Sequence, residues 1–255
     1  MLGVLLAAAL FCPYLTAFDP LKVELDQVLQ PPGRGHLMGT DNFGRDILTR
    51  VLYGARVDLK IGFLCVLFPF IIGTIAGCIS GYFGGFVDTL IMRTVDVVYA
   101  FPFYVIIIAI VGLLGTETRN IYIAITVVAW VTFARIVRGE VLVCKQSEYV
   151  LAARALGYAK SRIIFRHVLP NVITPAIVFS MSDIVLTILA ITSLSFLGLG
   201  IQPPTPEWGL MVAEGRMFII DAWWISLFPG LAIVFTGITF TLLADGIDDL
   251  LRPGA

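Results

Sequence analysis

The sequence predicts an all-α, polytopic membrane protein with about six transmembrane helices. Two observations carry that prediction. Of the 255 residues, 58% are hydrophobic and only 14% charged, whereas a soluble domain carries about 25% charged residues. The apolar residues also gather into runs long enough to cross a bilayer. The mean hydropathy of +0.95 agrees. This composition excludes a soluble globular enzyme, a disordered tail, a nucleic-acid binder and a small disulfide scaffold. The formal net charge of −1 says nothing about a partner.

The runs cover residues 2–18, 61–82, 97–114, 121–137, 172–197 and 222–244. A span needs roughly 20 mostly apolar residues to cross a hydrocarbon core of about 30 Å. In lipid the backbone must satisfy its own polar groups, so the runs are read as helices. Strands of a barrel would alternate in polarity, and residues 105–114 do not. The first run lacks the basic leading segment of a signal peptide and is read as a membrane helix. The intervening segments are 19–60, 83–96, 115–120, 138–171, 198–221 and 245–255, the longest of 42 residues. That is below the usual domain floor of about 50 residues. The chain is therefore read as one transmembrane domain, 1–255. Residues 135–171 hold seven Lys and Arg against Glu140 and Glu148, a net +5. The positive-inside rule puts this segment in the cytoplasm.

Several chemistries are missing. Cys12, Cys65, Cys78 and Cys144 form no CxxC pair and read as packing residues. His36 and His167 fall on opposite predicted sides. No GxSxG or HExxH motif occurs, and none of the four lysines follows a glycine, so there is no P-loop. The chain is not expected to be an enzyme.

The basic segment is the most informative. Residues 147–157 read as one short helix. Ser147 is its N-cap, Glu148 suits the positive end of the dipole, and Gly157 suits the left-handed C′ position. Its centre is small, at Ala152, Ala153 and Ala155, which lets another backbone approach. A second helix is expected over 161–168 with Ser161 as cap, and Pro170 marks a boundary before the next span. Arg135, Arg138, Arg162 and Arg166 read as topology and lipid contacts, and His167 as a loop residue. Pro69 and Pro102 read as kinks. Residues 39–46 carry turn-forming types and read as a structured external turn. Residues 203–208 read as a rigid outer loop with Trp208 near the membrane interface. Asp183 lies mid-span, where an acid costs about 2.5–3.5 kcal/mol on insertion scales. Two roles stay open for it: lining a transport path, or a structural hydrogen bond between helices.

The basic segment resembles the EAA loop of ATP-binding-cassette importer permeases, E-A-A-x3-G-x9-I-x-L-P. Ala152, Ala153, Gly157, Leu169 and Pro170 match, while Leu151 replaces the leading Glu and His167 the Ile. Further stretches resemble the dipeptide, oligopeptide and nickel permease family. They are residues 39–46 (GTDNFGRD) with 54–56 (GAR), 81–85 (GYFGG), 134–140 (ARIVRGE), 195–200 (SFLGLG) and 203–209 (PPTPEWG). The resemblance spans about residues 36–253 and implies the second of two permease subunits.

It also implies a type I importer permease (MetI-like) fold and an EAA-like cytoplasmic coupling loop at about 138–171. The implied coupling residues are Glu148, Tyr149, Ala152, Ala153, Arg154, Ala155, Leu156, Gly157 and Pro170. The implied partners are a sister permease, two P-loop ATPase subunits, an extracytoplasmic substrate-binding protein and membrane lipid, with no nucleic acid. ATP and Mg belong to the ATPases, so this chain is expected to bind no cofactor. The implied location is a prokaryotic plasma membrane. Dipeptides, oligopeptides, glutathione and nickel chelates all fit the pattern as cargo. The alternative from another class is a stand-alone secondary transporter or channel. That reading calls for more intramembrane ionisable residues or broken helices at the midplane, and only Asp183 fits it.

Overall fold

The computed structural model describes residues 1–251, which are helical apart from loops and one isolated bridge between Thr40 and Asp46. Four helices are long and apolar enough to cross a membrane: α2 (Ile47–Phe83), α5 (Thr118–Cys144), α9 (Thr174–Phe196) and α11 (Trp224–Leu251). A fifth span exists only as a broken pair. Helices α3 (Gly85–Tyr99) and α4 (Phe103–Leu114) meet at an angle of 87°. Helix α1 (Leu2–Leu15) has 14 residues, about 21 Å of rise, which is short for a span. The remaining helices are short: α6 (Glu148–Ala155), α7 (Lys160–Ile163), α8 (Leu169–Val172) and α10 (Trp208–Gly215).

Three boundaries differ from the sequence expectation for physical reasons. Helix α2 starts 14 residues before the apolar run at 61. Its leading turns carry Arg50 and Asp58, which interrupt the run but are buried. The run 97–114 is not one span, because the chain breaks over residues 100–102. Pro102 restricts the residue before it and lacks the N–H that would continue the ladder. Residues 85–96, expected within the intervening segment 83–96, are helical and form α3 together with residues 97–99. Pro69, by contrast, sits inside an unbroken α2.

The chain divides into two compact units. The first comprises Met1–Leu64, Val111–Ile121 and Ile184–Leu242. Its buried anchors include Trp208 and Trp224. The Trp208 indole N–H donates to the Val51 carbonyl at 2.9 Å, and that of Trp224 to the Thr40 carbonyl at 3.0 Å. Trp208 is therefore a core residue and not the interface aromatic that its motif suggested. Gly54 makes room for it, since an added Cβ would lie 2.7 Å from Trp208 Cδ1.

The second unit comprises Cys65–Ile110, Tyr122–Asp183 and the chain from Leu243. It is built on a close approach of α2 to α5. Gly73, Gly77 and Gly81 recur every fourth residue and so share one face of α2. A Cβ on Gly77 would lie 2.5 Å from the Ala134 carbonyl oxygen and 3.0 Å from Arg138 N. Small residues at this spacing are a known means of tight helix pairing in lipid, where burial alone gives little drive. On α5, Phe133 packs edge-on between Phe70 and Phe179, with centroids at 5.7 and 5.2 Å. Helix α3 packs on α5 through Val95, Val131 and Ala134, with Met92, Val98 and Trp130 around them. All four cysteines are buried and free, as their reading as packing residues requires.

Candidate functional site

Helix α6 lies in the second unit with one side inward. Val150 and Ala153 are 0% and 4% exposed. Glu148, Leu151, Ala152 and Ala155 are exposed and follow the i, i+3, i+4, i+7 pattern of one face. The two central alanines therefore separate: Ala152 faces out and Ala153 packs into its own chain. The expectation that both belong to one docking surface is corrected by their 100° separation around the helix axis.

Both ends of α6 are tied down. Ser147 occupies the N-cap position in extended conformation, but its side chain caps nothing. The Tyr149 hydroxyl instead meets Cys144 Sγ at 3.0 Å. That hydrogen bond, with some burial, raises the Tyr149 pKa above its ordinary value. At the other end Leu156 and Gly157 leave the helix. Gly157 has φ +75°, and its N–H donates to the Arg154 carbonyl at 3.0 Å. An added Cβ there would meet open space, so the glycine serves the backbone turn and not packing. Arg154 flanks the exposed face and turns back over the Tyr82 ring, 5.0 Å from its centroid.

The chain then continues through α7, a π-helical stretch at Ile164–Val168, and α8. Two expectations are corrected here. Ser161 lies inside α7, whose N-cap is Ala159. Pro170 does not end the helical path but sits in the first turn of α8. The wider π turn precedes it, and such turns absorb local breaks in the i→i−4 ladder. His167 belongs to that π turn. Its ring stacks on Tyr158 at 5.9 Å, and its carbonyl accepts from Asn171 Nδ2 at 2.7 Å.

The basic residues are mostly engaged within the unit. Arg138 binds Asp88 of α3, Arg135 donates to Asp96 of α3 at 3.2 Å, and Lys145 donates to the Gly81 carbonyl at 2.8 Å. Arg162 lies over Tyr158 at 4.4 Å. Arg135 and Arg138 thus have a structural task that their reading as topology and lipid contacts missed. The GxxxGxxxG spacing of α2 was the sequence signal for the neighbouring helix pair. Asp183 is half-buried in α9, and no hydrogen bond to its carboxylate is found among the described residues.

The first unit holds the other motif residues. Residues 39–46 form a turn in which Asp41 Oδ1 accepts from Phe43 N at 2.8 Å and Arg45 N at 3.0 Å. Arg45 donates to Asp41 at 2.6 Å and to Glu214 at 3.1 Å, and Arg50 lies 3.7 Å from both acids. Two cations and two anions balance, which is what burial of charge demands. His36 is held between Asp46, at 2.9 Å, and Gln27. Glu207, fully buried, caps α10 by accepting from Gly209 N and Leu210 N at 2.8 and 2.6 Å, and accepts from Ser195 Oγ at 3.0 Å. Among the described residues no cluster of His, Cys, Asp and Glu could hold a metal ion.

Comparisons with known proteins show what this chain is similar to. The family described as binding-protein-dependent transport system inner membrane component matches residues 73–255. The chain is 43% identical over 245 residues to a dipeptide transport system permease protein DppC of Alkalihalophilus pseudofirmus, covering 96% of this chain and 81% of that protein. It is 41% identical over 251 residues to a glutathione transport system permease protein GsiD of Pectobacterium atrosepticum, covering 98% and 83%. Among solved structures, an inward-facing MetNI methionine ABC transporter chain shares the fold. Its TM-score is 0.65 at 16% identity, covering 80% of this chain and 96% of that one.

Proposed function

Because the chain belongs to the family of binding-protein-dependent transport system inner membrane components, and is thereby a multi-pass permease subunit of an ATP-binding-cassette importer in the bacterial plasma membrane, we propose that α6 is its coupling helix. One observation carries the proposal. The exposed face formed by Glu148, Leu151, Ala152 and Ala155 is short-chained at its centre, while Val150 and Ala153 root the helix in the chain. A partner's groove can approach such a face closely, and rooting lets force pass into the second unit. Tyr149, Arg154, Leu156, Gly157 and Pro170 shape and hold the helix and its flanks.

The partner of this face is one of two P-loop ATPase subunits, which bind ATP and Mg. A sister permease completes the path, and an extracytoplasmic binding protein delivers the cargo. ATPase closure pushes α6 and switches the pair from inward-open to outward-open. The basic segment 135–171 lies in the cytoplasm, where the ATPases are. The cargo is a peptide or a related small molecule, a reading supported by the dipeptide and glutathione permeases among the relatives. Asp183 lines the path. This chain holds no cofactor of its own.

The test is Ala152→Arg. It should abolish uptake and co-purification of the ATPases while leaving membrane insertion and melting temperature unchanged. Normal uptake in that variant would refute the assignment of the face.

A further inference from the structure

Beside α6 lies a pocket of about 390 Å³ lined by Tyr82, Phe83, Arg154, Tyr158, Lys160 and Ile163. All six residues belong to the second unit. Two of them are cations and none is an acid. Arg154 sits over the Tyr82 ring at 5.0 Å and Lys160 over the Phe83 ring at 5.5 Å. Both cations are exposed, so the rings fix their positions without neutralising them. This sets them apart from Arg135 and Arg138, which carboxylates of α3 already engage.

The location adds a second constraint. Tyr82 and Phe83 are the last two residues of α2, a membrane-crossing helix. Aromatic residues at a span end sit at the level of the lipid headgroups. Phe86, Val87 and Leu90 of the adjoining α3 are exposed and apolar, a surface suited to acyl chains. The pocket is therefore cationic, lies at the end of a membrane-crossing helix and has apolar surface beside it.

We propose that this pocket binds the phosphate headgroup of an anionic phospholipid. Arg154 and Lys160 take the phosphate oxygens, Tyr82 and Tyr158 offer hydroxyls, and the acyl chains run past Phe83 toward α3. Arg154 is shared with α6 and so with the coupling assignment, whereas Lys160 and the rings of Tyr82, Phe83 and Tyr158 lie outside α6. Its position next to α6 means that lipid composition would tune how firmly the helix is held.

The test uses the full-length transporter purified with its natural subunits, and native mass spectrometry with added phosphatidylglycerol or phosphatidylcholine. The wild type should retain phosphatidylglycerol in preference to phosphatidylcholine. A basic residue near a membrane surface contributes about 1 kcal/mol toward anionic lipid, or about five-fold. R154Q/K160Q should therefore lose about 25-fold in phosphatidylglycerol affinity, and R154K/K160R should recover most of it. An Arg34→Gln control, in the first unit and outside the pocket lining, should bind as the wild type. Equal binding of the two lipids, or no loss in R154Q/K160Q, would overturn the proposal. Displacement by inorganic phosphate alone would assign the pocket to a free anion. Loss of ATPase co-purification by K160Q alone, which leaves α6 intact, in pure phosphatidylcholine discs would assign the pocket to an acidic partner side chain. Either result would also overturn it.

Discussion

Arg138 grips Asp88 with two parallel hydrogen bonds, Nε to Oδ1 at 2.6 Å and Nη2 to Oδ2 at 2.7 Å. The pair joins α5 to α3, and the Ser80 hydroxyl of α2 donates to the same carboxylate. Three helices thus meet on one acid. Both side chains are largely covered, at 29% and 20% exposure, so the pair is worth more than a free surface bridge. In a double-mutant cycle, Arg138→Gln and Asp88→Asn should show a coupling of about 1–2 kcal/mol. The readout is reversible unfolding of the purified permease in detergent. Additive effects of the two changes would mean that the bond does not hold α3.

Glycines of α5 and α2 should respond in opposite directions. Gly77→Ala drives a methyl into the backbone of Ala134 and Arg138 and should cost about 1–3 kcal/mol through overpacking. Gly139 sits mid-helix with open space where its Cβ would be. Gly139→Ala should gain roughly 0.5–1 kcal/mol through helix propensity. Melting temperatures of the two variants check the sign directly.

The GxxxGxxxG spacing was present in the sequence, and so were the spans at 121–137, 172–197 and 222–244, because apolar runs report directly on burial in lipid. Other features were hidden for identifiable reasons. The first turns of α2 look polar, yet Arg50 and Asp58 are buried there, and two of their partners, Glu214 and Trp208, are remote in sequence. The break before α4 needed three-dimensional context, since Pro69 and Pro102 are the same residue type and only the second interrupts its helix. Ala152 and Ala153 look equivalent on paper. Only the rooting of α6 through Val150 tells which of them faces out. The motif stretches at 39–46, 195–200 and 203–209 were legible as a pattern, but their buried hydrogen bonds were not.

Glu207 offers a test of those stretches. Its carboxylate accepts three hydrogen bonds inside the first unit. Glu207→Ala leaves the first N–H groups of α10 and the Ser195 hydroxyl without that partner in a dry site. The cost should be roughly 2–4 kcal/mol, combining a lost cap with unsatisfied buried donors. Glu207→Gln retains an acceptor oxygen and should cost less than half as much. Thermal unfolding followed by tryptophan fluorescence distinguishes the two. Similar melting points for both would mean that the cap is not a major hold on α10.

Asp183 separates a path role from a structural one. No hydrogen bond to its carboxylate is found among the described residues, so removing the charge breaks no bond that holds α9. A mid-span acid is nonetheless costly to insert, and its retention calls for a task that uses the charge or its hydration. Asp183→Asn keeps the shape and removes the charge. The variant should insert and melt as the wild type does, or slightly higher. Its uptake should change by several-fold in apparent affinity or maximal rate, measured in proteoliposomes with the complete transporter and saturating binding protein. Unchanged uptake together with a lowered melting temperature would instead give Asp183 a structural task and remove it from the path.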